Sequence, residues 1–358
     1  MTPAVTSAVD GVEERPGLLA RLAAGPVICA EGYLFELERR GYLQAGAFVP
    51  EVVLEHPDRV TALHEEFVHA GSDVVEAFTY YAHREKLRLI GKADLLETLN
   101  QQALELAARV AAQSGTLLAG NVCNTNVFEP VDQLTHANVR AMFTEQVGWA
   151  AECGVDFVVG ETFRYLDEAM IALEVIREAG LPAVITLAVH REPATGEGMA
   201  LPEAMKRLAG AGADVVGLNC TRGPATMLPL IHEIMPAVDV PVAALPVPYR
   251  TTAEQPNFQS LRDPTYDGFP GGRPFPTALD PFTCNRYEIA DFTREAHAAG
   301  VRYLGVCCGA APHHIRSMAE ALGRQPPASR YSDDMSKHVY FGTEPSLAPH
   351  NLEFGRRL

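Results

Sequence analysis

The stretch AAGVRYLGVCCG, residues 298–309, decides the fold. A helical segment ends at Gly300, and the chain passes at once into an apolar run rich in residues that favour strands. Glycine suits the left-handed position just past a helix end, and an unbroken apolar run suits a parallel strand covered on both faces. The same unit recurs as HAGSDVVEAF (69–78), ECGVDFVVGE (152–161) and GAGADVVGLN (210–219). Apolar runs bounded by turn signals mark eight strands, near Val27, Val74, Leu117, Phe157, Val184, Val215, Val242 and Tyr303. Helical spacing separates most of them, over Ala93–Gln113, Asn138–Cys153, Leu166–Ala179 and Ile289–Ala299. Eight alternating βα units predict a (β/α)8 TIM barrel, because an open doubly wound sheet usually has fewer strands.

Two regions break the rhythm. Residues 246–283, after the seventh strand, are rich in Pro, Gly and aromatics and read as a long ordered loop, a lid over the active face. Residues 323–358 show no clear period and read as a short C-terminal extension. The barrel itself is expected over 17–322. The first residues, MTPAVTSAVDGVEERPG, carry acids where a secretory signal would carry a basic and then an apolar stretch. Residues 1–16 are therefore expected to be a disordered tail, and the protein to be cytoplasmic.

Of 358 residues, 47% are hydrophobic and 21% charged, enough to bury a large core. The net charge of −16 with no basic patch argues against a nucleic-acid partner. No apolar run approaches the roughly 20 residues that span a bilayer, so no membrane segment is expected. Seven cysteines, an odd number in an apparently cytosolic chain, point to buried, reactive or metal-bound thiols rather than disulfides.

Catalytic groups of such barrels come from the C-terminal ends of the strands and the loops beyond. That rule selects Glu31, Thr79, Tyr80, Tyr81, Glu161, Asn219, Cys220, Cys307 and Cys308. Adjacent Cys307 and Cys308 can reach one ion if the strand stops there and Gly309 allows a turn. Cys220, at the end of the sixth strand, lies close enough at the rim to join them. Three thiolates with one open position is the arrangement of a catalytic zinc site, whereas a fourth protein ligand would make the site structural. Cys29, Cys123, Cys153 and Cys284 have ordinary explanations as buried thiols.

The segments EGYLFELERRGYLQAG, PEVVLEHPDRVTALHEEFVHAGSDVVEAFTYYAHREKL, GLNC and GVRYLGVCCG resemble the homocysteine S-methyltransferase family, most closely its betaine–homocysteine branch. The resemblance spans roughly residues 17–322. It implies a (β/α)8 barrel, zinc held by Cys220, Cys307 and Cys308, and methyl transfer from glycine betaine or a similar onium donor to homocysteine, giving methionine. Coordination to zinc would deprotonate the homocysteine thiol. The resemblance assigns the homocysteine amino group to Glu161, with Glu31, Thr79 and Asn219 also expected around the acceptor. It places Tyr81, Phe48 and Tyr80 at the donor, where aromatic faces recognise quaternary ammonium groups.

The chain departs from the family in places. The family's Asp-Gly-Gly after the first strand is Ala30-Glu31-Gly32, a family threonine is Ala77, a tyrosine able to occupy the open zinc position is Thr162, and a donor-site tryptophan is Phe48. The C-terminal extension is shorter than the oligomer-forming arm of the animal betaine enzymes, so the expected homo-oligomer is a dimer. Two other readings stay open: a sulfonium or other N-methylated donor, and a non-catalytic barrel stabilised by zinc that acts as a binding protein.

Overall fold

The computed structural model describes residues 15–358, so all but the last two positions of the expected N-terminal tail lie outside the described residues. Eight strands stand where the apolar runs predict them: β1 Val27–Ala30, β2 Val74–Glu76, β3 Leu117–Cys123, β4 Phe157–Phe163, β5 Ala183–Leu187, β6 Val215–Asn219, β7 Val242–Leu245 and β8 Tyr303–Val306. They pair in sequence order, all parallel, and β8 closes on β1 through Val27 opposite Tyr303 and Ala30 opposite Val306. The expected (β/α)8 barrel is the fold.

Each strand is short and almost wholly buried, as required when helices cover the outside and side chains fill the inside. Gly300 ends helix Arg286–Ala298 at φ 103°, a backbone state that side chains disfavour, and sends the chain into β8. The helices start on polar caps where the sequence supplies them. Asp132 accepts from the Leu134 amide at 2.9 Å and opens helix Gln133–Cys153, while Asn285 and Glu288 form a reciprocal box at the start of Arg286–Ala298. These caps lie outside the apolar period, which is why both helices begin earlier than their hydrophobic spacing indicates.

The barrel interior changes character along its axis. Its lower end is sealed by Leu18 and Leu22 of helix Leu18–Ala24, packed with Val27, Val74, Leu117, Phe157, Val215 and Tyr303. Toward the C-terminal ends of the strands the inward residues become Glu76, Asn121 and Glu161, all buried. The segment 246–283 holds only three-residue helical turns, yet it buries Phe258, Leu261 and Leu279 and bonds the Phe258 amide to the Thr221 carbonyl at 2.9 Å. It covers the mouth beyond β6. The last segment carries short turns and helix Pro349–Gly355, and Arg324 ties its start to Asp73 at 2.6 Å. Among the described residues no helix is long and apolar enough to cross a membrane.

Candidate active site

Cys220, Cys307 and Cys308 come together at the rim, with their sulfurs all within 4.8 Å of one another. Local backbone explains how. β8 ends at Val306, so the two adjacent cysteines lie beyond the strand, and Gly309 at φ 95° turns the chain so that both reach the same point. Cys220 follows β6 directly and takes a left-handed φ of 57°, which is costly for a side chain other than glycine and persists only where the surroundings impose it. Three thiols so close cannot all ionise without a cation. Cys307 and Cys308 donate to the Cys220 sulfur and hold its thiol well below the usual range. Burial and the Cys220 sulfur push Cys307 up, and the Cys220 sulfur with burial does the same to Cys308. Among the described residues no fourth His, Cys, Asp or Glu joins these three sulfurs. An all-thiol set with one direction left open suits a soft divalent metal that also binds a ligand.

Below the sulfurs runs a buried polar chain. Asn219 donates to Glu161 Oε2 at 2.5 Å and to Thr162 Oγ1 at 2.9 Å, with Glu31 Oε2 3.4 Å from the same nitrogen, while its Oδ1 accepts from the Thr162 amide at 2.9 Å. The Asn219 side-chain nitrogen also lies 3.8 Å from the Cys307 sulfur. Asn121 donates at 2.6 Å to both Glu161 Oε1 and Glu76 Oε1, and the Cys29 thiol donates to Glu76 Oε2 at 3.6 Å. Burial raises the Glu161 carboxyl to about 7 against the pull of bonds from Asn121, Thr162 and Asn219. Glu31 and Glu76 are pushed well above the carboxylate range, by burial first and then by the charge of Glu161. Three carboxyls with no basic partner make a region that favours a cation.

Glu31 reaches this chain although the acid stands one position later than in Asp-Gly-Gly. β1 stops at Ala30, so the alternation of faces has ended, and Glu31, Glu161 and Cys307 present ligand atoms within 4.8 Å of one another. At β4 the register against β5 shifts between Gly160 and Phe163, and Thr162 takes φ 61°. This bulge keeps Glu161 inside while turning Thr162 toward Asn219.

Two cavities meet at Tyr80 and Cys308. The deeper, of about 20 Å³, is lined by Glu31, Glu76, Asn121 and Glu161 below and by Tyr33, Phe78 and the two adjacent cysteines above. The outer, of about 330 Å³, has aromatic walls formed by Phe35, Phe48, Tyr80, Tyr81, Phe258 and Phe275, with Arg164 and His190 at its polar side. All six non-glycine residues with left-handed backbone among the described residues, Phe48, Tyr81, Asn126, Thr162, Cys220 and Thr221, line this outer cavity. Such strain gathers where a binding site is held in a fixed shape.

The aromatic wall is built from several elements. Phe35 lies 5.6 Å from Phe48, 6.1 Å from Phe258 and 6.4 Å from Phe275, ring centre to ring centre, so the first loop and the segment 246–283 share one cluster. Tyr80 and Tyr81 lie 4.3 Å apart. Their turn is held by the Cys123 sulfur, which accepts from the Tyr81 amide at 3.3 Å, and by Asn100, which donates to the Ala82 carbonyl at 2.8 Å. The Lys86 ammonium sits 4.0 Å from the Tyr81 ring centre and occupies one of its faces.

Of the residues selected from the sequence, the three cysteines, Glu31, Glu161 and Asn219 form one connected group, and Tyr80, Tyr81 and Phe48 line the outer cavity. Thr79 is on neither wall: its side chain is buried and its hydroxyl bonds the Asn121 carbonyl at 2.8 Å. Sequence reasoning missed Glu76, Asn121, Arg164, His190, Phe258 and Phe275. The signal for the first two was a polar residue inside an otherwise apolar parallel strand.

The homocysteine S-methyltransferase family profile matches residues 29–322. The chain is 34% identical to the S-methylmethionine–homocysteine S-methyltransferase BHMT2 of Mus musculus, over 92% of this chain and 89% of that protein. It is 36% identical to betaine–homocysteine S-methyltransferase 1 of Danio rerio, over 88% of this chain and 77% of that one. Among solved structures, the metallated form of the homocysteine methyltransferase MmuM from Escherichia coli superposes with a TM-score of 0.64 at 19% identity, covering 84% of this chain and 97% of that one.

Proposed function

This chain belongs to the homocysteine S-methyltransferase family, and we propose that it moves a methyl group from glycine betaine to the sulfur of homocysteine with zinc held by Cys220, Cys307 and Cys308. The observation that carries the reading is the meeting of the three-sulfur rim, the acidic pocket and the aromatic cavity at Tyr80 and Cys308. When bound, zinc would supply the charge that turns a thiol into a thiolate at neutral pH. The protein's own residues do the rest. The S–CH3 bond forms as the N–CH3 bond breaks, giving methionine and dimethylglycine, and the thiol proton leaves to solvent.

Glu161 and Glu31 take the ammonium of homocysteine, a charge that offsets the cost of burying their carboxyls. Asn219 holds Glu161 in place and links it to the rim. On the donor side, Tyr81, Tyr80 and Phe48 offer ring faces to the trimethylammonium group and keep water from it, while Arg164 and His190 lie where a donor carboxylate can be received. Lys86 leaves one face of Tyr81 for the donor. Thr79 acts behind the site, through the Asn121 carbonyl.

The relatives named above take two kinds of onium by their names, betaine and S-methylmethionine. A sulfonium donor is the second reading, supported by an outer cavity of about 330 Å³ and by Phe48, which offers a weaker cation-binding face than tryptophan. Zinc-loaded protein incubated with homocysteine and, separately, glycine betaine, S-methylmethionine and a dimethylsulfonium acid separates the readings when methionine is read by mass spectrometry. Methionine from betaine at the highest kcat/KM is expected. Turnover with sulfonium donors alone would overturn the betaine assignment, and no turnover with any onium would favour a metal-stabilised binding protein. As the assembly we propose a homodimer, with exposed Tyr331, Phe341 and Phe354 in the C-terminal segment as the surface to test by native mass.

A further inference from the structure

Two buried acceptors in the deep cavity have no partner. Glu31 Oε1 and Asn121 Oδ1 are both without a hydrogen bond, on side chains that are 7% and 5% exposed. An unmatched buried acceptor costs roughly 1 to 3 kcal/mol, so two facing one void point to a ligand that donates. The orientation of Asn121 is fixed by its other half. Both hydrogens of its amide nitrogen are committed at 2.6 Å, one to Glu161 and one to Glu76, and once a bound cation holds these carboxyls ionised the opposite assignment would set a carbonyl oxygen against two carboxylates. Its oxygen is thereby left for whatever enters. The void measures about 20 Å³, room for one water or one ammonium group. The carboxyls of Glu31 and Glu161 beside it select the ammonium.

We propose that Asn121, oriented by Glu76, is a third anchor for the ammonium group of the acceptor amino acid, beside Glu31 and Glu161. This rests on the acceptor reading above and adds to it two residues with no role there. An ammonium has three hydrogens to place. Glu31 Oε1 and Asn121 Oδ1 each take one, and Glu161 takes the third on an oxygen that keeps a free lone pair. Glu76 borders the same void, but its two oxygens are already taken, one by the Asn121 amide and the other by the Cys29 thiol, so it is a positioning residue that keeps the Asn121 amide turned the right way. The barrel supplies this arrangement through its stagger. Glu76 pairs with Ala119, Asn121 with Val159, and Cys123 with Glu161, so each inward residue sits two positions further along its strand than the partner of the one before. Tilted strands bring the three to one level. Such a pocket accepts α-amino thiols and rejects thiols that carry only a carboxylate.

The test is calorimetric binding, without donor, of homocysteine and of its desamino analogue 4-mercaptobutyrate to the zinc-loaded protein. Wild type should prefer homocysteine by about 100-fold or more. Asn121→Ala should weaken homocysteine about tenfold or more while leaving 4-mercaptobutyrate within about twofold, so the preference collapses. Glu76→Leu should do the same without removing any group that hydrogen-bonds the ligand. Glu76→Gln should restore the preference, because its amide oxygen can still accept from Asn121. If Asn121→Ala does not fold, the Glu76 pair carries the result alone. Equal weakening of both thiols, or an unchanged preference in Glu76→Leu, would overturn the role of Asn121. Methionine formation by wild type, read alongside, tests the acceptor reading separately, since it can stand while the Asn121 role falls.

Discussion

Replacing Asn219 with alanine probes the joint between the metal rim and the acidic pocket. The side chain donates to Glu161 at 2.5 Å and accepts from the Thr162 amide at 2.9 Å, at a turn whose backbone is left-handed. Removing the acceptor leaves a partly buried amide unmatched, worth up to about 1 to 3 kcal/mol, and removing the donor strips one bond from a buried carboxyl, worth about 1.5 to 3 kcal/mol. Both losses come from one side chain and relax together, so the fold should lose about 2 to 4 kcal/mol, a large share of an ordinary stability. Glu161 would then rise further above about 7, because the Asn219 bond is one of those holding it down. At neutral pH less of it would be charged, and homocysteine affinity should fall about tenfold or more. Urea unfolding reads the first effect and calorimetric titration of homocysteine the second, with zinc content as the control. A variant with the wild-type urea midpoint and wild-type homocysteine affinity would refute the claim that Asn219 holds Glu161 in place.

Glu161→Gln should weaken homocysteine about tenfold or more with zinc content unchanged, since a charge-assisted bond to ammonium is lost but no sulfur moves; titration of both proteins decides it. Tyr81→Ala should lower turnover with betaine by more than it lowers homocysteine affinity, and Phe48→Trp should tighten betaine by up to about tenfold, measured as the donor KM. Stability should also depend on acid through His64, which is fully buried against Tyr33 with neither ring nitrogen partnered, so that burial lowers it to about 3. The unfolded chain binds this proton near pH 6.5, so the stabilisation is complete above that pH and is lost as pH falls from 6.5 toward 3. His64→Leu should flatten that slope by at most about 5 kcal/mol, and identical unfolding midpoints against pH in both proteins would contradict it.

The barrel was legible because its unit is local. A helix, a glycine and an apolar run each leave a mark within about ten residues, and all eight strands follow from counting them. The three cysteines were legible because strand ends in a barrel converge, which turns a separation of dozens of residues into a single rim. Glu76 and Asn121 were not legible in the same way. Their meaning lies in the two-residue stagger between β2, β3 and β4, a property of the closed sheet that no one strand records. The aromatic wall was half legible: Phe48, Tyr80 and Tyr81 sit in a recognisable context, whereas Phe258 and Phe275 arrive from a long irregular segment whose path depends on tertiary contacts. Glu31 shows the limit of register arguments. A one-position shift reverses a side chain only while the strand continues, and here the strand has ended.

The central claim is methyl transfer at a metal held by three thiols, and a zinc add-back titration tests it most directly. Metal-free protein, prepared with a chelator, is supplied with increasing zinc in the presence of homocysteine and glycine betaine, and methionine formation is followed by mass spectrometry. The rate should rise linearly to about one zinc per chain and then level off, and the Cys220, Cys307 and Cys308 triple serine variant should show neither tight zinc uptake nor turnover. Turnover independent of added zinc, or a zinc-saturated protein that forms no methionine from homocysteine with any onium donor, would contradict the account.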